Sequence, residues 1–266
     1  MLDHYSHSSI QTYQKCPAQF SIRYIDKVEK PDESIEAFLG KRVHEVLEYL
    51  YNYRKADKGI PMIDMLLTQF HSVWEDNWHD RIGIANTGQK VQDYYRKGEA
   101  MIARFYRQYF PFDEPVKEIE YRIKFFLDET DDYPMVGILD RLDIIGNERV
   151  EIHDYKTGKR VMGQRAADND IQLAIYQLGI KDESYESMPV ELVWHFLHTG
   201  GEVHSQRSKH QLLYVKRKLM SAIDHINDHI RSEEAFQPKE TRLCYWCHYW
   251  EECPAKFIPN PTIPRQ

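Results

Sequence analysis

The apolar residues of this 266-residue chain first change from helical to alternating spacing near residue 112, and this change limits the folds that the chain can adopt. Before that point they recur at helical spacing over residues 6–25, 35–58, 62–80 and 88–110. After it, short alternating segments separated by turns predict an antiparallel meander of strands at 115–127, 135–145 and 149–156. The remaining pattern predicts a helix at 168–182, strands at 189–198 and 202–207, and a long amphipathic helix at 209–234.

This order of elements predicts an α/β protein with a mixed central sheet flanked by helices. A helical insertion, at about 60–112, precedes the sheet. The length suits one large domain or two small ones. We expect a single domain over residues 1–258, because cysteines near both ends could draw the termini together, followed by a Pro-rich, extended tail at 259–266.

Composition excludes several classes of protein. A hydrophobic content of 42% and a charged content of 29% exclude a disordered or fibrous chain. The net charge of −7 argues mildly against a protein that coats DNA, but not against an enzyme that grips nucleic acid in one groove. No apolar run approaches the roughly 18–20 residues of a membrane span, and no signal peptide is recognisable. We therefore expect a cytoplasmic protein without membrane partners.

Three of the four cysteines form a C-x2-C-x5-C motif near the end of the chain, at Cys244, Cys247 and Cys253. Disulfides do not suit a reducing compartment. Three closely spaced thiolates, with Cys16 as a fourth, could bind one metal centre. The spacing fits either zinc or an iron–sulfur cluster, and the surrounding aromatic residues suit a cluster slightly better. His248 is a further candidate ligand, and four free thiols are the simpler alternative.

The predicted meander carries a second chemical constellation, at Asp140, Asp154 and Lys156. Adjacent antiparallel strands can place the two carboxylates side by side, where a divalent cation such as Mg²⁺ would relieve their repulsion. Strand alternation sends Asp154 and Lys156 to one face, and directs Asp143 away from Asp140. Such a set could support metal-assisted phosphodiester hydrolysis. A surface ladder of salt bridges is the alternative.

These residues resemble a known family. Gly137-x-x-Asp140 followed by Asp154-Tyr155-Lys156 is similar to the PD-(D/E)XK nuclease superfamily, in particular its RecB-like branch. Gly40-x-x-x-His44 and Gln172-x-x-x-Tyr176 match the family's upstream and downstream motifs, in the same order. The pattern from Ser6 to Phe20 and the terminal cysteine motif resemble the AddB-like subgroup with an iron–sulfur cluster, to which the CRISPR adaptation nuclease is related. The resemblance implies a restriction-endonuclease-like core.

The resemblance also implies roles for individual residues. His44, Asp140 and Asp154 would bind Mg²⁺ or Mn²⁺, with the backbone carbonyl of Tyr155 as a further ligand, and Lys156 would be the catalytic lysine. The other implied site residues are Glu120, an acidic residue of the preceding strand, and Gln172 and Tyr176, which would position the DNA strand or the lysine. Apart from the resemblance, Lys159 and Arg160 follow the predicted catalytic strand, where they could line a phosphate path or belong to a solvated loop. The four cysteines would hold a 4Fe–4S cluster that staples the termini, with structural Zn²⁺ as the alternative: Cys16, Cys244, Cys247 and Cys253.

The predicted function is a metal-dependent deoxyribonuclease, an exonuclease of single-stranded DNA or DNA ends in repair, recombination or processing. One alternative is a CRISPR adaptation nuclease that trims spacer precursors. Another is a non-catalytic, DNA-end-binding scaffold subunit. The chain has no Gly-x-x-x-x-Gly-Lys-Ser/Thr phosphate loop, so unwinding of duplex DNA would require a partner such as a helicase, and spacer processing an integrase.

Overall fold

The structure is a computed structural model that describes residues 2–84, 88–180 and 187–258. Its α-helices are α1 (His7–Lys15), α2 (Pro17–Phe20), α3 (Ile35–Lys55), α4 (Ile63–Asn77), α5 (Val91–Tyr109), α6 (Gln164–Ala167), α7 (Gln172–Gly179) and α8 (Lys209–Ser232). Its strands are β1 (Glu33–Ser34), β2 (Ile82–Gly83), β3 (Val116–Phe126), β4 (Pro134–Ile145), β5 (Arg149–Lys156), β6 (Val190–Phe196) and β7 (Gly201–Gln206). A π-helix at Ser21–Ile25 and a 3-10 helix at Arg242–Trp246 complete the regular elements.

The central sheet has five strands in the order β3-β4-β5-β6-β7. All neighbouring pairs are antiparallel except β5 and β6, which run parallel. The parallel pair requires a crossover between its strands, and α6 and α7 lie in that connection. The mixed sheet flanked by helices confirms the predicted fold class, and the three-strand meander is present as predicted. Among the described residues, no helix combines the length and the apolarity that crossing a membrane requires.

Helices pack on both faces of the sheet and create two hydrophobic cores. The first core joins α7 and α8 to the sheet, as shown by Leu173, Ile223 and Ile152. The second core joins α3, α4 and α5, and it includes Tyr155 from β5. Ile152 and Tyr155 lie three positions apart on one strand and therefore face opposite sides of the sheet. The helical insertion thus forms the layer that covers the second face.

The helix predicted at 6–25 is interrupted at Cys16, which is a correction. Cys16 has an extended backbone with φ −157° and ψ 104°, and Pro17 begins the next helix. A residue that precedes proline avoids the helical region because the proline ring would clash with it. The remaining turns form α2 and the π-helix. The break separates Cys16 from the helix before it.

The helix predicted at 168–182 is also shorter than expected. It is replaced by α6 and α7, and the Asp170 side chain accepts a hydrogen bond from the backbone N–H of Leu173 in the first turn of α7. Asp170 therefore favours a new helix start over a continuous helix. The residues after Ile180 and the predicted tail at 259–266 lie outside the described residues.

The N-terminal segment of the chain contacts the segment that follows α8. The Cys16 thiol accepts a hydrogen bond from the backbone N–H of Lys239 at 3.5 Å. Lys30 forms an ion pair with Glu252 at 2.5 Å. These contacts hold the segment after α8 against the N-terminal helices, so that the lone cysteine lies beside the segment with the cysteine motif.

A buried arginine connects the sheet to the second core. Arg141, on β4, is 2% exposed and forms an ion pair with Asp143 at 3.0 Å. Its guanidinium also donates hydrogen bonds to the hydroxyls of Tyr51, on α3, and Tyr155, on β5. A buried charge needs such partners because desolvation is costly. Arg141 therefore ties three elements together directly beside Asp140.

We predict that Arg141→Met lowers the free energy of unfolding by about 3–5 kcal/mol, because the buried Asp143 would lose its guanidinium partner and keep only the contact with His153. Urea unfolding of the purified variant measures this loss. The double variant Arg141→Met/Asp143→Leu should lose less than the sum of the two single variants, since the pair is removed together. A loss below about 1 kcal/mol for Arg141→Met, as for a surface ion pair, would contradict this prediction.

Candidate active site

The candidate site lies where β4 and β5 separate. Their pairing reaches Arg141 and His153, so Asp140 and Asp154 would form the next opposed pair. Instead, Oδ2 of Asp140 accepts the backbone N–H of Tyr155 at 2.7 Å. A side-chain carboxylate therefore takes the place of a strand–strand hydrogen bond. This contact fixes the Asp140 carboxylate at the point where the strands diverge.

Glu120, on β3, also lies at this site, and its backbone has an unusual conformation. Its φ is +46°, a left-handed conformation that costs a non-glycine residue about 1–3 kcal/mol. The flanking residues Ile119 and Tyr121 remain paired with β4. The distortion is thus confined to one residue, and it leaves Oε1 of Glu120 4.0 Å from Nδ1 of His44. Strain of this kind accumulates at functional sites.

His44 approaches from α3. Its Nε2 lies 2.8 Å from the carbonyl oxygen of Tyr155, and its Nδ1 lies 3.6 Å from Oδ1 of Asp140. When Nε2–H donates to that carbonyl, the neutral ring presents the lone pair of Nδ1 to the carboxylates. Gly40 allows this approach, because a Cβ there would lie 3.2 Å from Oγ1 of Thr157, just after β5.

One ligand atom from each of three residues, His44, Glu120 and Asp140, falls in a group whose members all lie within 4.8 Å of one another. The two carboxylates suit Mg²⁺ or Mn²⁺. The sequence predicted His44, Asp140 and Asp154 as the main ligands. The structure brings Glu120 into the group, while Asp154 is not part of it. The Tyr155 carbonyl, predicted as a further ligand, instead contacts His44.

Asp154 and Lys156 share a face of β5 and form an ion pair of 2.7 Å. Asp154 is 4% exposed, whereas the Lys156 side chain is 34% exposed. Lys156 Nζ also donates to Oε1 of Gln172 at 3.2 Å, and Nε2 of Gln172 donates to the hydroxyl of Tyr176 at 3.1 Å. The two residues of the downstream motif on α7 therefore hold the lysine in place.

Gly137 makes room for this arrangement. A Cβ at Gly137, on β4, would lie 2.7 Å from the ring of Tyr176. Any larger residue would push α7, and with it Gln172, away from the sheet. Gly40 and Gly137 are thus both required because the fold leaves little room for a side chain at either position.

The site holds a strong excess of negative charge. Burial and the charge of Asp140 raise the pKa of Asp154 to about 6, although Lys156 opposes the shift. The same two causes raise the pKa of Glu120 to about 7. Burial alone would lower the pKa of His44, but the Asp140 carboxylate and the Tyr155 carbonyl raise it to about 9. A divalent cation would relieve this repulsion, so the donor set fits a metal ion.

The basic residues after β5 lie outside this group. Lys159 and Arg160 are both exposed, and no ion pair to either is present in the described part of the chain. They follow Lys156 within a loop that leads to α6. Both are therefore available to an external anion.

All four cysteines are free and partly buried. Backbone N–H groups donate to two of the sulfurs: that of Lys239 to Cys16, and that of Thr241 to Cys244 at 3.3 Å. Burial, followed by the charges of the other three thiols, raises the pKa of Cys247. Within the ranges that the structure describes, however, no three sulfurs lie within 4.8 Å of one another.

A second group of acidic and histidine side chains lies on the opposite face, at Asp143, Glu151 and His153. Asp143 already pairs with Arg141 at 3.0 Å and with His153 at 3.2 Å. The guanidinium therefore supplies the positive charge that a metal would supply. As expected from strand alternation, Asp143 does not join the site at Asp140.

A supporting network of buried side chains behind the site was not predicted from the sequence. Nδ1 of His153 contacts Nε2 of His195 on β6 at 2.8 Å, and Nδ1 of His195 contacts the Tyr109 hydroxyl on α5 at 2.8 Å. Burial lowers the pKa of His195 to about 4. The only available signal was the run Arg141-Leu-Asp143, whose charged residues share a strand face that proves to be buried.

Comparisons with known proteins identify the family of this chain. A mixed sheet that brings carboxylates and a lysine together beside a histidine from α3 suits metal-assisted hydrolysis. A family description, that of the PD-(D/E)XK nuclease superfamily, matches residues 4–254. The chain belongs to this superfamily, as the sequence motifs indicated.

Solved structures support the fold. A protein from Eubacterium rectale, described as a "Putative exonuclease", has a TM-score of 0.58 at 12% identity, covering 97% of this chain and 90% of that chain. At this identity the likeness concerns the fold alone. A second structure, SSO0001, is 15% identical over 94% of each chain, but its TM-score is 0.37, too low to carry an argument. No curated protein sequence matches the chain.

We predict that Mg²⁺ stabilises this protein more as the pH rises. The pKa values of Asp154, Glu120 and His44 are raised from 3.8, 4.5 and 6.5 to about 6, 7 and 9. The metal-free protein therefore binds more protons than the unfolded chain between these limits, and its stability falls as the pH rises through them. Thermal melts in EDTA and in Mg²⁺, from about pH 5 to pH 9, should show a growing difference in Tm.

Glu120→Gln is the matched variant for this experiment, because it keeps the shape of the side chain and removes one of the repelling charges. Its melting temperature in EDTA should fall less steeply with pH than that of the native protein. A Mg²⁺ effect that is independent of pH, or equal in both proteins, would contradict the prediction.

Proposed function

We propose that this protein is a Mg²⁺- or Mn²⁺-dependent deoxyribonuclease that acts on single-stranded DNA or DNA ends as an exonuclease. The single observation that carries the proposal is the position of Lys156, held between Asp154 and Gln172 beside the group of His44, Glu120 and Asp140. Membership of the PD-(D/E)XK nuclease superfamily supports phosphodiester hydrolysis. The description of the Eubacterium rectale protein supports the exonuclease proposal.

The proposed metal ligands are His44, Glu120 and Asp140, joined by Asp154. When bound, a divalent cation supplies Lewis-acid stabilisation of charge on the phosphate and makes water more acidic. The chain itself orients these ligands: Nε2–H of His44 is held by the Tyr155 carbonyl, and Asp140 by the Tyr155 N–H. The Tyr155 carbonyl oxygen has a second lone pair, and we propose that it serves as a further ligand.

Lys156 would act on the substrate directly. An ammonium has three N–H donors; Gln172 accepts one of them, and Asp154 forms an ion pair with the same nitrogen. The partly exposed side chain keeps a donor for a phosphate oxygen or for the attacking water. Burial of Asp154 strengthens this arrangement, because a buried carboxylate holds its cation more firmly than an exposed one. Gln172 and Tyr176 would therefore be positioning residues.

We predict that Lys156→Met and Asp154→Asn each reduce cleavage of end-labelled, single-stranded DNA by at least about 10²-fold, because positioned proton transfer and charge stabilisation are lost. Cleavage should require Mg²⁺ or Mn²⁺ and stop in EDTA. Lys218→Ala, an exposed lysine on α8, is the matched control and should cleave normally. Loss of linear DNA with circular DNA spared would identify an exonuclease.

Retained cleavage in both site variants would contradict the nuclease assignment to these residues. Binding of DNA without cleavage under any metal would favour the alternative of a non-catalytic, DNA-end-binding scaffold. A nuclease that trims spacer precursors in CRISPR adaptation would share the same chemistry, and its distinguishing property would be association with an integrase. A role in repair or recombination would instead require a helicase partner. Both roles fit a cytoplasmic protein.

We further propose that Cys16, Cys244, Cys247 and Cys253 bind a 4Fe–4S cluster that staples the termini of one nuclease domain. A tetrahedral zinc site, with Zn–S bonds of about 2.3 Å, would place its sulfurs about 3.8 Å apart. No three of the described sulfurs lie within 4.8 Å of one another, so they are not arranged around such an ion. Backbone N–H donors to sulfur are also typical of cluster thiolates. Structural Zn²⁺ is the alternative.

Anaerobic purification tests this proposal. We predict a brown protein with iron and acid-labile sulfide in equal amounts, and we expect Cys247→Ser to lose most of the iron. Elemental analysis measures the metal content. The isosteric change tests the ligand while preserving the size of the side chain. Stoichiometric zinc without iron would contradict the cluster.

A further inference from the structure

Helix α5 presents two basic residues on one side. Lys97 and Arg104 lie seven residues apart, or about two helical turns. Nη1 of Arg104 donates to the carbonyl oxygens of Leu197 at 3.0 Å and His198 at 2.7 Å. These bonds dock α5 against the turn that follows β6. His198 therefore lies at a fixed place beside the basic side of the helix.

The same edge of the sheet contains the end of the strand that carries Lys156. The backbone N–H of Leu197 donates to the carbonyl oxygen of Lys156 at 2.9 Å. Because β5 and β6 are parallel, their carboxyl ends lie side by side. Lys159 follows Lys156 by three residues, which can span at most about 10 Å. Crevices outside the carboxyl ends of parallel strands are common ligand sites.

Four basic residues from three separate parts of the chain therefore gather at this edge, and we call them the cation cluster: Lys97, Arg104, Lys159 and His198. No carboxylate forms an ion pair with any of them in residues 2–84, 88–180 or 187–258. Among the described residues, the close contacts of Lys97 Nζ are with neutral groups, the amide of Gln89 at 2.8 Å and the ring of Tyr94 at 3.9 Å.

The charges of the cation cluster act on one another. Burial, followed by the charge of Lys159, lowers the pKa of Lys97, although Asp93 and Glu36 oppose the shift. Burial also lowers the pKa of His198, and the other three members of the cluster reinforce this effect. The protein thus holds three mutually repelling cations, Lys97, Arg104 and Lys159, beside a site that is itself strongly acidic, and His198 joins them when it is protonated. An anion placed between the cations would relieve their repulsion.

We propose that the cation cluster binds a backbone phosphate of single-stranded nucleic acid, adjacent to the phosphate that is cleaved. The strand then crosses α5 on its way to Lys156. This inference rests on the proposed nuclease function. A strand with one phosphate at Lys156 presents its next phosphates at regular intervals, and Lys159 lies within about 10 Å of Lys156 along the chain. Through Lys97 and Arg104 of α5, the helical insertion would therefore contact the backbone of the substrate.

Binding of fluorescein-labelled oligothymidylate in EDTA tests the proposal without requiring cleavage. Each variant is made in the Asp154→Ala background and titrated at several salt concentrations by fluorescence anisotropy. Lys97→Gln and Lys159→Glu should each weaken binding, and the slope of log Kd against log salt should fall by about 0.7 for each phosphate contact removed. Lys159→Arg should bind as the parent does, because it keeps the charge.

Lys218→Ala is the control for general loss of positive charge, because α8 packs on the other face of the sheet. Equal Kd values and equal salt slopes for Lys159→Glu and Lys218→Ala, with unchanged melting temperatures, would overturn the proposal. So would a mononucleotide that binds as tightly as the oligomer and depends on Lys97 and Lys159, since the cluster would then be a site for free nucleotides. Absence of cleavage by the native protein would overturn the proposed nuclease function but not the proposed phosphate site, because the binding assay does not require cleavage.

Discussion

The separation of β4 from β5 at Asp140 is the constraint on which the rest of the site depends. As long as two antiparallel strands remain paired, their side chains project above and below the sheet, and their backbone groups are occupied. Where they separate, the Asp140 carboxylate can accept the N–H of Tyr155, and the carbonyl of Tyr155 becomes available to His44. The parallel pairing of β5 with β6 leads β5 away from β4 and leaves the cleft open.

One face of the sheet carries the side chains of the site, and the opposite face carries the buried residues that hold β5 in place. Asp154 and Lys156 contact α7, whereas Tyr155, between them, is buried against α3 and α5. Arg141 and its partners anchor the Tyr155 ring through a hydroxyl contact at 3.1 Å. A residue whose side chain is locked in a core can present its backbone groups accurately. The buried network thus fixes the backbone groups that His44 and Asp140 contact. The carboxylates of the site repel one another, and a bound cation would reduce this repulsion.

The sequence predicted a large part of this fold because its patterns are local. Strand alternation and helical spacing located the sheet and the long helices, and the spacing of Gly40 to His44 and of Gln172 to Tyr176 indicated shared helix faces. The break at Cys16 was missed, although Pro17 was visible, because an apolar stripe continued across it. The distorted backbone of Glu120 had no local signal, since glycine or asparagine would normally mark it. The burial of Arg141 depends on partners from α3 and β5, which spacing along the chain does not reveal.

Anomalous diffraction from crystals soaked in Mn²⁺ would test the central claim most directly, because it locates the metal without depending on activity. The account predicts one strong peak at the separation of β4 and β5, within bonding distance of Nδ1 of His44 and the carboxylates of Glu120 and Asp140. Asp154 should lie on the same side of that peak. A peak at Asp143, Glu151 and His153 instead, or no ordered metal at Asp140 at saturating Mn²⁺, would contradict it.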